Sequence, residues 1–375
     1  MENKKFSLKD ELFNQDKVEF IANNISQVYG GFDKNAFIKE TIQKFPELEL
    51  KQRIFHIRDM LDKYLDTNYL DSVDILLKSL PKELDPNLTD NDFGYFILSP
   101  YWEYIAKFGC ERKYLDFSFD AMLECTKRFS MEFAIRPFLK KFPEETLKYV
   151  ELCSKHENYH VRRLASEWIR PNLPWWGKVD LWVENTLKIL DNLYTDETQY
   201  VLRSVANNLN DLSKIDSVAV IERLKKWQKS KKQSDKNINF LIRHALRTQI
   251  KLWNQSALAL LGYKKPEIEF INFEIITKKV KLWESAIFNF EIFSKKAQNI
   301  IINYHLYFVW ANGKLSYKVY HVWKKNVNNW EKVEYEKKHP LREMTTKKLY
   351  SWEHFIEVVI NGEIFEKKSF KFEAL

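Results

Sequence analysis

From the N-terminus to about residue 262, apolar positions recur at spacings of three and four, as in Leu61, Tyr64 and Leu65 or Leu70, Val73 and Leu77. That period belongs to helices that bury one face. Beyond Pro266 the pattern changes. Ala286–Phe293 and Ile300–Trp310 are rich in β-branched and aromatic residues, and Asn312-Gly313 and Asn361-Gly362 are hairpin-type pairs. Strands of this kind within about 110 residues predict a small β-sandwich. The expected organisation is therefore an α-helical domain over 1–265 and an immunoglobulin-like β-sandwich over 266–375.

The helical part repeats. Arg163 in HVRRLASE, Arg203 in YVLRSVAN and Arg243 in FLIRHALR are evenly spaced. Val161, Val201 and Leu241 keep the same register, as do Ala165, Val205 and Ala245. A period of about 40 residues with paired helices predicts a HEAT-like solenoid. Equivalent positions of stacked repeats form a strip, so an arginine at each would give a row of phosphate-matching forks. The other reading of these arginines is as ion-pair staples between repeats.

Charge supports a polyanionic partner. The chain carries a formal net charge of +8, and residues 222–251 hold ten Lys/Arg against Glu222 and Asp235. Such a surface suits DNA, although a solvated helix face with a Lys-rich loop would look the same. No run of about 18 apolar residues predicts a membrane span. The N-terminal MENKKFSLKDELF has no signal-peptide character, and Cys110, Cys125 and Cys153 lack CxxC spacing. We expect a cytoplasmic monomer with no metal and no cofactor. The absence of a GxxxxGK[ST] loop and of an HxE/PCxxC pair argues against a P-loop nucleotide site and a zinc deaminase.

Three segments set carboxylates beside arginines: Ser130–Phe138 with Glu132 and Arg136, His160–Trp175 with Arg163, Glu167 and Arg170, and Arg203–Lys214 with Arg203, Asn207 and Asp211. At helical spacing each set shares a face. Asn207, Asn208 and Asn210 would brace the site, since Asn inside a helix calls for such a reason. His160 and His244 read as hydrogen-bonding histidines rather than metal ligands.

These segments, EFAIRPF, HVRRLASEWIRPNLPW and RSVANNLND, resemble those of the AlkC-type DNA glycosylases, a helical-repeat family related to the AlkD type. RHALRTQIKLWNQSALALLGY, ANGKLSYKVY and REMTTKKLYSWEH extend the resemblance over nearly the whole chain. It implies a base-excision-repair enzyme acting on double-stranded DNA, which removes cationic N3-methylated bases, chiefly 3-methyladenine and 3-methylcytosine. It also implies that Glu132, Glu167 and Asp211 are the active-site carboxylates, with Glu167 and Asp211 closest to the sugar and water. A cationic base is already a good leaving group; what remains is to stabilise positive charge on the sugar and to place a water. The face of Trp175 would favour such a cation. Arg136, Arg162, Arg163, Arg170, Arg203, Arg243 and Arg247 are the phosphate-contact candidates. The alternative is a non-catalytic DNA-binding or scaffold solenoid, which would gain nothing from acids in a basic strip.

One departure runs through the sequence. It has 8 Gly and 12 Trp, where about 7% Gly is ordinary. Trp168, Trp253, Trp283, Trp330 and Trp352 stand where the family pattern has Gly. We read these five as UGA codons that the host decodes as glycine, a reading that UGG codons would end.

Overall fold

The structure is a computed structural model describing residues 7–87, 94–173, 178, 181–309, 313–342 and 350–374. Two compact units divide it between Ala245 and Leu246.

The first unit is built of helices. Helix Tyr159–Trp168 packs on Gln199–Leu212, which packs on Asp235–Ala245. Val161, Val201, Leu241, Ala165, Val205 and Ala245 are all buried, so the repeat register is the core register. Burying each Val or Leu contributes about 1.5–3 kcal/mol over leaving it exposed, which is what fixes the rotation of each helix. Starts are capped in a like manner. The Asn158 side chain accepts from His160 N at 2.9 Å, and Thr198 Oγ1 accepts from Val201 N at 3.3 Å. Asn208 Nδ2 donates to Ser166 O at 2.7 Å and Asn210 Nδ2 to Ala245 O at 2.9 Å, tying successive repeats. These two asparagines thus brace the stack of repeats.

The second unit begins with short helices, Arg247–Lys251 and Gln255–Leu260, which the sequence pattern had joined to the solenoid. The buried side chain and backbone of Asn361 tie this segment to the strands. Gln255 Nε2 donates to Asn361 O at 3.3 Å, and Asn361 Nδ2 donates to Lys264 O at 2.7 Å. The strands are β1 Ile268–Ile275, β2 Lys279–Lys281, β3 Ser285–Ser294, β4 Gln298–Val309, β5 Leu315–Val327, β6 Lys332–Pro340, β7 Trp352–Ile360 and β8 Glu363–Glu373. They form a three-stranded sheet, β1-β3-β6, and a five-stranded sheet, β2-β8-β7-β4-β5. Burial alternates along β3, where Ala286, Phe288, Phe290 and Ile292 point inward. They join Ile302, Tyr304 and Leu306 of β4 and Ile356 and Val358 of β7 in one core. This is the sandwich that the period-two pattern predicts. The Asn361-Gly362 turn joins β7 to β8, with φ of 48° and 81°; Asn312 lies outside the described residues.

Three of the five tryptophans at glycine positions have left-handed backbones: Trp253 at φ 59°, Trp283 at 74° and Trp330 at 59°. Trp253 closes helix Arg247–Lys251. Its N–H bonds to Ile250 O at 3.1 Å and Asn254 N to Gln249 O at 3.0 Å, the paired bonds of a Schellman ending. The next helix ends with the same bond pattern around Gly262 at φ 86°. The side chains of Trp283 and Trp330 lie mostly in solvent, at 62% and 63% exposure. Trp168 is helical and fully buried, and Trp352 opens β7 in an extended conformation, so neither backbone asks for glycine.

A left-handed non-glycine residue costs roughly 1–2 kcal/mol, and these two exposed rings return little by burial. Trp283→Gly and Trp330→Gly should therefore each raise stability by about 1 kcal/mol in urea denaturation. Lower midpoints for both would show that the turns accommodate tryptophan. Trp253→Gly should gain less, because its ring N–H donates to His305 Nε2 at 2.9 Å.

Candidate active site

The three acid-bearing segments converge in the first unit. Arg163 is the hub of one half. Its Nη1 donates to Glu132 Oε1 at 2.6 Å and to Ser130 Oγ at 2.5 Å, and its Nη2 lies 3.6 Å from Glu167 Oε1. Arg170 is the hub of the other. Its Nη1 donates to Glu167 Oε2 at 2.9 Å, while Nε and Nη2 donate to Asp211 Oδ2 at 3.0 and 2.8 Å. Lys214 Nζ donates to Asp211 Oδ1 at 2.9 Å. The charges thus alternate in one line: Glu132, Arg163, Glu167, Arg170, Asp211, Lys214.

Helix geometry explains part of this line. Arg163 and Glu167 are one turn apart in helix Tyr159–Trp168, and Arg170 follows just past its end, where a cation suits the terminal carbonyls. Asp211 comes from the neighbouring helix Gln199–Leu212 and reaches Arg170 across the repeat boundary. Asp211 lies in the same helix as Arg203, two turns on, but the arginine that it bonds is Arg170, and Arg203 is exposed.

One correction concerns Glu132 and Arg136. They do not share a helical face, because the helix begins only at Arg136, with Pro137 in its first turn. A proline suits the first turn, but deeper in a helix it would lack the N–H for the carbonyl of Phe133 and its ring would strike that carbonyl, so the helix does not extend back. Glu132 therefore sits on a turn and is free to meet Arg163. Arg136 is fully buried, and its Nη2 donates to Arg170 O at 2.7 Å. No phosphate could touch it in this arrangement.

The side chains of Glu167 and Asp211 are 4% and 6% exposed, and that of Glu132 is 24% exposed. Burial pushes the Glu167 carboxyl up, but the charges of Arg163 and Arg170 outweigh it and hold the group below the ordinary carboxylate value. Glu167 is therefore ionised at neutral pH and is no general acid. A carboxylate depressed in the fold contributes stability that is complete above its unfolded value of about 4.5. That contribution is lost as pH falls through the lower folded value. Acid denaturation of wild type and Glu167→Gln should show this: the two curves should converge below about pH 4.5, and a constant separation would count against an ionised, paired Glu167.

The other candidates have diverse settings. Arg162 ties two repeats together. Its Nε donates to Asp196 Oδ2 at 2.6 Å, and Nη1 donates to the carbonyls of His156 and Glu157. Within the repeated register Arg163 is buried under the ring of Tyr200, whose centroid is 5.0 Å away, whereas Arg203 and Arg243 are exposed. The row is thus one ion-pair staple and two surface arginines. Arg247 is half-buried in the second unit. Trp175 lies outside the described residues. His160 is buried against the ring of Tyr159 at 4.1 Å, and His244 shares a hydrogen bond with Asn207 at 2.9 Å. Among the described residues no three His, Cys, Asp or Glu side chains are grouped to hold a metal, and no helix is long and apolar enough to cross a membrane.

Sequence reading missed Ser130, Tyr200 and Lys214. Lys214 was detectable, three residues beyond Asp211 in a helical pattern. Ser130 and Tyr200 meet Arg163 across the fold and carry no local signal.

A HEAT-like solenoid, an immunoglobulin-like sandwich and carboxylates alternating with arginines across neighbouring repeats define a protein of the AlkC type. Its fold matches that of the Pseudomonas fluorescens alkylpurine DNA glycosylase AlkC bound to DNA containing an abasic site analog. The TM-score is 0.76 at 28% identity, covering 99% of this chain and 100% of that one. The chain belongs to the family of the Bacillus subtilis (strain 168) protein described as "Uncharacterized protein YhaZ". The two are 32% identical over 368 residues, which cover 96% of this chain and 98% of the relative. Residues 269–374 match the family described as "Uncharacterised protein YhaZ, C-terminal Ig-like domain".

Proposed function

We propose that this protein is a monofunctional DNA glycosylase of base excision repair. It hydrolyses the N-glycosidic bond of cationic N3-alkylated bases, such as 3-methyladenine and 3-methylcytosine, in double-stranded DNA. The observation that carries this reading is the alternating line from Glu132 to Lys214, three carboxylates kept in place by three cations. The likeness to AlkC supports it.

In the reaction the C1′–N bond breaks and its electron pair leaves with the base, which becomes neutral. No acid is needed, in keeping with an ionised Glu167. Positive charge grows on the sugar ring, and a nearby carboxylate stabilises it. Water then adds its oxygen to C1′ and gives up a proton to solvent by way of Asp211. Asp211 is suited to orient that water, since its Oδ1 is bonded to Lys214, whose side chain is 45% exposed and can yield to solvent. Arg163 and Arg170 keep Glu167 charged, and the cations hold the three carboxylates in fixed orientations, so little reorganisation remains for the moment of bond cleavage. The exposed Arg203 and Arg243 are phosphate contacts.

The test is release of free base from methylated duplex DNA. Release of 3-methyladenine or 3-methylcytosine is expected. Intact DNA binding without release of either would favour a non-catalytic binding protein on the same frame.

A further inference from the structure

Arg136 lies beneath the carboxylate line without belonging to it. Its side chain is fully buried, and Nη2 donates to Arg170 O at 2.7 Å. Nε and Nη1 are buried with no hydrogen-bond partner among the described residues. A buried guanidinium with two donors unmet is a poor stabiliser; an apolar side chain of similar volume would remove that desolvation penalty. A group kept at such a cost points to a task other than packing.

What Arg136 holds suggests the task. Arg170 sits past the end of helix Tyr159–Trp168, and its side chain bridges Glu167 and Asp211. Without an anchor, the chain after the helix could drift and take the bridge with it. Resting on the glycosylase reading above, we propose that Arg136 is a positioning residue: its guanidinium pins the Arg170 carbonyl and thereby sets the spacing of Glu167 and Asp211. Its charge also acts on the same pair. Burial brings the Arg136 guanidinium down to about 10, Arg170 adds to the lowering, and Glu167 opposes it. By reciprocity Arg136 helps to keep Glu167 ionised.

The test compares Arg136→Met and Arg136→Lys with wild type in single-turnover base release, thermal denaturation and binding to duplex DNA carrying an abasic analogue. Arg136→Met should lower the rate about a hundredfold, as a displaced reacting group does, with Tm unchanged or raised and DNA affinity unchanged. An unchanged rate overturns the proposal. If Arg136→Met lowers both rate and Tm, Arg136→Lys decides: Tm restored with the rate still low supports positioning, and parallel recovery of both overturns it. A second readout does not need activity. The carboxyl titration of Glu167, followed by ¹³C NMR, should move to higher pH in Arg136→Met, and an unmoved midpoint overturns the proposal. If wild type releases no base, the glycosylase reading fails, while this titration still reports whether Arg136 acts on the line.

Discussion

Asp211→Asn is expected to lower base excision about a hundred- to a thousandfold, the usual effect of losing one pre-oriented electrostatic group. Asn keeps the shape of Asp and an oxygen for Arg170, whose Nε and Nη2 both donate to Oδ2. It removes only the negative charge and the oxygen that faces Lys214. DNA affinity should hold or rise, since a carboxylate in a basic setting repels phosphate. Measured together, single-turnover release and duplex binding separate the two roles. Equal losses in both would make Asp211 a structural brace, and the activity would need another source of charge stabilisation. Glu167→Gln should behave in the same direction.

The second large effect is expected at Arg170. It is the one side chain of the line that bonds Glu167 and Asp211 together, and both carboxylates are almost wholly buried. Breaking a buried pair from one side typically costs about 3–5 kcal/mol, because the remaining charge is left without its partner. Arg170→Met should approach the lower figure, since Arg163 still faces Glu167 and Lys214 still bonds Asp211. Urea denaturation gives the number. A loss well under 1 kcal/mol would mean that the two flanking cations suffice and that Arg170 serves the chemistry rather than the fold. Excision should fall with it, as neither carboxylate would retain its fixed orientation.

The solenoid was legible because burial repeats with the sequence. Val161, Val201 and Leu241 had one environment to satisfy, and all three are in the core. The strands were legible for the same reason at period two, as in β3. Glu167 and its neighbour Arg163 were legible because they lie one turn apart on a single helix. The pairs that cross between repeats were not. Nothing local tells Asp211 that its arginine is Arg170, 41 positions earlier. Nor does a sequence reveal that one arginine of a charged motif is buried. Arg136 looked like a surface fork and lies in the interior, and Pro137 was the overlooked sign that the helix could not extend back to Glu132.

The five tryptophans were singled out because the family pattern has glycine there, and the backbone separates them. Trp253, Trp283 and Trp330 occupy conformations that glycine enters freely; Trp168 and Trp352 do not. Reading the codons at the first three is thus the sharper test.

The alternating line has one more consequence. Glu132, Glu167 and Asp211 are matched one for one by Arg163, Arg170 and Lys214, so as a unit they carry no net charge. Seen from a few ångströms away, such a row is a string of opposed dipoles whose field dies off quickly. On the glycosylase reading, an incoming phosphodiester is met by the exposed Arg203 and Arg243 and by little net repulsion from the line. A sugar in van der Waals contact with a single carboxylate experiences the full local field of that group. The reactive polarity is hidden at long range and present only at touching distance.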